Sequence, residues 1–265
     1  MKRILLIGLI ALTVASCKKN NDDVLSNELA PISVEFDNVV GDQNLLLNSG
    51  VYTNANGQQF SVTTCNYFVS NFVLTKTDGT IYTVPQDSSY FLVRENLPAT
   101  RFATMKVPQG DYAQVQFIIG VDSLRSTMDI SRRTGVLDPS GGMDGMYWTW
   151  NSGYIFLKLE GTSPAAPADA NGNRRFRFHI GGFGGYSSAT INNIKQVTLS
   201  LTNRGIAKVR TNRNANVHLF ANIAQVMNGA TNVNLSTNAT TMFNAFSTQV
   251  ANNYQNMFTH DHTEN

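Results

Sequence analysis

Histidine is scarce in this 265-residue chain, so its four imidazoles are the first places to look for chemistry: His179, His218, His260 and His262. Neutral imidazole is the commonest protein ligand for copper and zinc, and thioether sulfur adds affinity for cuprous copper. His179 ends the run Phe176-Arg177-Phe178-His179 and is followed by Ile180-Gly181-Gly182, where missing side chains let other groups approach closely. His260 and His262 stand near the terminus as His-Asp-His. If that terminal segment folds back to the end of the Phe-Arg-Phe strand, His179, His260 and His262 make a three-nitrogen metal site. The plainer reading of each is structural, because a lone histidine at a strand end often serves only as a hydrogen-bonding group.

A second segment is equally unusual. Residues 141–154 hold both tryptophans, Trp148 and Trp150, and two of the eight methionines, Met143 and Met146, inside a glycine-rich loop that enters a strand. Burying so much aromatic surface requires a concave surface beside it. Asp122 ends a strand and Asp138 begins a turn, and at either place a carboxylate joins a site or hydrogen-bonds loop backbone. Enzyme signatures are missing: there is no Gly-x-Ser-x-Gly elbow, His-Glu-x-x-His pair, phosphate loop or Cys-x-x-Cys. Acidic residues are too scattered to single out a glycosidase pair. The sequence therefore reads as a binding protein and not as an enzyme.

The elements that must position these groups begin with a delivery signal. Met1-Lys2-Arg3 is cationic, residues 4–14 are apolar apart from Gly8 and Thr13, and the small residues Ala15 and Ser16 precede Cys17. This pattern predicts a signal peptide over residues 1–16, too short to span a membrane. Val14-Ala15-Ser16-Cys17 resembles a bacterial lipobox, which predicts that Cys17 is acylated and anchors the chain to a membrane. Lys18-Lys19 does not resemble the aspartate-based signal for inner-membrane retention, so the expected location is the outer membrane, on its periplasmic or cell-surface face. Polar residues 17–30 predict a flexible tether. Losing Lys2 and Arg3 leaves 18 basic and 18 acidic residues, a balance that argues against nucleic acid as a partner. With Cys17 acylated, Cys65 has no disulfide partner in the chain, so stability has to come from the core.

From Ile32 onward apolar residues alternate. Ile32, Val34 and Phe36 share one face, and further runs lie at residues 60–62, 67–74, 90–93, 112–121, 154–160, 174–180, 197–201 and 217–223. Short β-branched and aromatic runs separated by Gly, Asn, Asp and Pro predict an all-β antiparallel β-sandwich over residues 31–265. Pro108-Gln109-Gly110-Asp111-Tyr112 predicts a turn in which the tyrosine hydroxyl anchors on nearby backbone. Phe243, Phe246, Val250, Tyr254 and Met257 recur every three or four residues, predicting one short C-terminal helix capped by Thr240 or Thr241.

Taken in order, several stretches resemble the MbnP-like family: Phe36, Asn66-Tyr67-Phe68-Val69-Ser70-Asn71, Pro108-x-Gly110-x-Tyr112, Gly120-Val121-Asp122, Asp138-Pro139, residues 142–154, Gly161 and Phe178-His179-Ile180-Gly181. The closing Asn253-Tyr254-x-x-Met257-Phe258-x-x-Asp261-His262 is similar to bacteroidete members. The resemblance implies a β-sandwich with a copper ion held by histidines and an oxidised tryptophan (kynurenine), the oxidation being made by a di-haem partner of the cytochrome c peroxidase type. It points to Trp148 as the modified residue and His179 as a ligand. Copper-binding members carry Trp-x-His where this chain has Trp148-Thr149-Trp150, so one imidazole is missing there. His260 or His262 could replace it, or Met146 could add sulfur. The expectation is a monomeric, lipid-anchored metal-binding protein for acquisition or storage of copper, with zinc as the other candidate ion. The rival expectation is a carbohydrate- or protein-binding module that uses the aromatic loop 146–154.

Overall fold

In the first strand, β1 (Leu29–Val40), Ala30, Ile32, Val34 and Phe36 are fully buried while the residues between them are partly exposed. Side chains alternate across a strand, so this two-residue period lays one face of β1 on a core. The structure, a computed structural model, describes residues 28–141, 145–150 and 153–265. Cys17, the signal peptide and all of the tether before Glu28 lie outside the described residues, as does Met143.

The strands that follow are β2 (Gln43–Asn44), β3 (Tyr52–Thr53), β4 (Gln59–Lys76), β5 (Ile81–Thr83), β6 (Tyr90–Arg94), β7 (Phe102–Pro108) and β8 (Gly110–Ile119). After the short helix α1 (Ser123–Thr127) come β9 (Tyr147–Trp148), β10 (Gly153–Thr162), β11 (Arg175–Gly181), β12 (Lys195–Ser200), β13 (Ala207–Val209) and β14 (Ala215–Asn222). The chain closes with α2 (Ala224–Met227), β15 (Thr240–Thr241), α3 (Ala245–Tyr254) and β16 (Phe258–Glu264).

They form two sheets. In the smaller, the order is β16-β14-β1, with β2 and β7 both pairing with β1. The larger runs β12-β8-β4-β10-β11-β15, with short strands added along β4, β8 and β10. Their inner faces meet in an aromatic cluster: Phe36 of β1 packs edge-on against Phe117 of β8 and Phe258 of β16, each with ring centroids 5.6 Å apart. Such edge contacts contribute about 0.5–1.5 kcal/mol each beyond burial. A β-sandwich is what the alternation predicts, and among the described residues the pairing is antiparallel except at two places. β1 runs parallel to β14, and β11 runs parallel to β15. Parallel neighbours need long crossovers, and most of the chain separates Ile32 from its partner Ala215.

Tyr112 anchors its hydroxyl as its turn predicts, donating to the Pro108 carbonyl at 2.6 Å. The C-terminal helix is shorter than the apolar stripe implies. Asn244 caps it by accepting from the Ser247 amide, while Thr240 and Thr241 pair with β11 as strand. Asparagine is a stronger cap than threonine, and backbone pairing of Thr241 beside Phe178 removes it from the competition. After α3 the chain turns back into β16, so His260 and His262 sit in a sheet.

Candidate functional site

The aromatic loop is seated on the end of the larger sheet. Trp148 is only 6% exposed and belongs to a second apolar cluster with Met146, Tyr154, Phe156 and Phe183. Its indole lies directly over Gly181 of β11: a Cβ placed there would come within 2.7 Å of the ring and 2.4 Å of the Tyr154 carbonyl. Only glycine leaves room for this contact. Trp150 stacks obliquely on Trp148, centroids 5.3 Å apart, but is 65% exposed. Met146 is fully buried in the same cluster.

His179 precedes Gly181 by two residues on β11, so the two share a face and His179 stands one pleat, about 7 Å, from the position the indole covers. Opposite it on β10 is Lys158, and one pleat along that strand Glu160 accepts a 2.6 Å hydrogen bond from the His179 Nε2. Burial holds the imidazole below its ordinary pKa, against the pull of Glu160. Burial pushes the Glu160 carboxyl upward, but its hydrogen bond to His179 and the charge of Lys158 outweigh that and hold it low. At neutral pH the pair is therefore a neutral ring donating to a carboxylate. A neutral ring that donates through Nε2 keeps its lone pair on Nδ1, the arrangement found where a carboxylate orients a metal-ligating histidine.

The tail imidazoles do not join His179, which lies in the larger sheet while β16 edges the smaller one. His260 bonds the Thr263 hydroxyl at 2.9 Å, and burial lowers its pKa. His262 instead stacks on His218 of β14, centroids 4.8 Å apart, with Asp261 beside both. Sequence reasoning left out Glu160 and did not join His218 and Asp261 to His262, because a bulge and two strand registers bring them into place, and neither shows in spacing along the chain. Asp122 accepts from the Arg125 amide and from the side chains of Tyr90 and Gln86, and Asp138 accepts from the Ser140 amide and hydroxyl, so both carboxylates hold loop structure.

A model of the MbnP family matches residues 30–244, which takes in the aromatic loop, Glu160 and His179. The chain belongs to the MbnP family. Among solved structures, MbnP from Methylosinus trichosporium superposes with a TM-score of 0.52 over 82% of each chain at 15% sequence identity, a likeness of fold. No curated protein sequence matches the chain. His260, Asp261 and His262 lie beyond the residues the MbnP model matches, whereas His218 lies within them. Trp148 and His179 lie well within them.

Proposed function

We propose that this MbnP-family chain is a lipid-anchored metal-binding protein of the cell envelope, holding copper beside Trp148 and His179 for acquisition or storage. The observation that carries this reading is the carboxylate-pinned imidazole: Glu160 fixes His179 at 2.6 Å one pleat from a buried indole. An oriented, neutral His179 fits one copper ligand, with Nδ1 as its donor atom. Trp150 supplies no lone pair at the place where copper-binding members carry histidine, because an indole N–H only donates. A second nitrogen therefore has to come from Trp148 after oxidation, and a di-haem cytochrome c peroxidase-like partner would carry that out. The exposed Trp150 lies over Trp148, where such a partner would meet it. Cys17 would supply the anchor, placing the domain at the outer membrane.

One observation favours a second reading. Trp150 and Tyr186 are 65% and 54% exposed, and exposed aromatics are common anchors for a protein or sugar. The hollow beside Phe183, Tyr186 and Phe243 holds only about 90 Å³, well below the roughly 300 Å³ of small-molecule sites. A flat partner suits it better than an enclosed ligand.

The deciding measurement is copper binding and intact mass of protein purified from copper-replete cells. Bound copper that His179→Ala abolishes, with a net gain of one oxygen and loss of one carbon at Trp148, supports the copper reading. Metal-free, unmodified protein that captures a glycan or protein through Trp150 overturns it. Release of the protein from membranes by Cys17→Ser tests the anchor.

A further inference from the structure

We propose that His218, Asp261 and His262 form a second metal site, on the outer face of the smaller sheet, suited to zinc(II). It lies on the opposite sheet from His179 and does not depend on the copper reading.

A strand bulge builds the site. His218 pairs with His262 and the next residue, Leu219, pairs with His260, so Asp261 is an extra residue in β16. In a regular strand residues 261 and 262 would face opposite ways; the bulge lets both reach His218. Asp261 Oδ2 lies 3.4 Å from His218 Nδ1 and 2.8 Å from His262 Nδ1. One ligand atom from each residue falls within 4.8 Å of the others. A tetrahedral zinc ion with bonds of about 2.0–2.1 Å spaces its ligands about 3.3–3.4 Å apart, so small side-chain rotations, chiefly of the exposed His262, would close the set.

The surroundings are those of a site and not of a chance ion pair. His218 Nδ1 is shielded from solvent and makes no hydrogen bond among the described residues. Each imidazole has a carboxylate near its other nitrogen: Asp37 Oδ2 is 3.8 Å from His218 Nε2, and Glu264 Oε1 is 3.6 Å from His262 Nε2. A carboxylate behind a ligating histidine is the usual second layer of a zinc centre. Arg204 takes the far oxygen of Asp261 at 3.3 Å, leaving Oδ2 to face both rings. Phe220 closes one flank edge-on to His218 at 5.4 Å. Three carboxylates thus surround two imidazoles with Arg204 as counter-charge to one of them, and a divalent cation would offset the rest. Two nitrogens, one oxygen and no sulfur favour zinc(II) over cuprous copper, with a position left for water. An ion there would staple the final strand β16 to β14.

The test uses the full chain, purified in detergent, stripped with chelator and titrated with zinc chloride. The wild type should bind one equivalent that His218→Ala/His262→Ala loses and that Asp261→Asn weakens at least tenfold. His179→Ala should retain it, which separates this site from the copper corner. Zinc should raise the wild-type melting temperature but not that of the double variant, and X-ray absorption should report two imidazoles. The single change His262→Asn, at an exposed position, keeps the test valid if the double variant misfolds. Zinc stoichiometry and melting shifts equal in wild type and His262→Asn, or zinc lost on His179→Ala alone, would overturn the proposal.

Discussion

Glu160 and His179 meet across neighbouring strands of the larger sheet, carboxylate oxygen to Nε2 at 2.6 Å, and the ring is thereby held in one tautomer. Substituting glutamine keeps the shape and removes the charge. Glu160→Gln should therefore leave the fold intact but lower the His179 pKa further, since the carboxylate is what pulls it up. Loss of such an orienting partner typically weakens metal binding about 10–100-fold. Titration of the ring by NMR and copper binding by the same variant check both halves, and an unmoved ring pKa would show that the carboxylate does not act on it.

The same pair predicts how the metal-free protein responds to acid. His179 and Glu160 both have folded-state pKa values below their ordinary ones, so over each interval the unfolded chain binds more protons. Stability should fall as pH drops below about 6.5 for the histidine, and fall again below about 4.5 for the glutamate. Glu95 opposes this: burial raises its pKa, so its contribution moves the other way just above its ordinary range. Denaturant midpoints from pH 7 to pH 4 should decline, and Glu160→Gln should steepen the decline below about pH 6.5, because the ring loses the carboxylate that supports its protonated form. A flat profile in the wild type would show that neither group is coupled to folding.

Gly181 is where the aromatic loop touches the sheet. Gly181→Ala places a methyl group 2.7 Å from the Trp148 ring and 2.4 Å from backbone, and neither neighbour can yield cheaply. Overpacking of this kind costs about 1–3 kcal/mol. The indole should be displaced outward, giving a red-shifted tryptophan emission, whereas Trp150→Ala at the surface should change stability by less than about 0.5 kcal/mol. Unchanged emission in Gly181→Ala would mean that the indole is not seated on β11.

Phe36 joins the two sheets at the centre of the core, touching the rings of Tyr67, Phe117 and Phe258. Phe36→Ala should cost about 3–5 kcal/mol, by lost transfer energy and the cavity left behind. Chemical unfolding gives the value directly. A loss below about 1 kcal/mol would place the core elsewhere.

Much of the scaffold is legible in the sequence. Alternation in β1 marks its buried face, and the Pro-x-Gly-x-Tyr turn anchors as its residue types require. Local chemistry suffices in both cases. The C-terminal helix is legible in kind but not in extent, because Thr241 is drawn into β-pairing with β11 and the Asn244 side chain takes over the cap. The candidate site is half legible. His179 and Trp148 stand out by rarity and context, yet nothing beside Glu160 in the chain marks it among the five glutamates until the β10–β11 register sets it against the imidazole. The pairing of His218 with Asp261 and His262 depends on an extra residue in β16, and no periodicity announces a bulge. The parallel contact of β1 with β14 is likewise invisible, since alternation reveals a face but not a neighbour.

That last contact has a kinetic consequence. β1 sits between β14 and β7, so the earliest strand to emerge finds one of its two neighbours only when residue 215 and beyond are available. Contacts so distant along a polypeptide slow the search for the native state. A chain passed through a pore from its front end would keep an unfilled place in its smaller sheet until transit was nearly over, and a partly closed sandwich of this kind remains easy to unravel and thread.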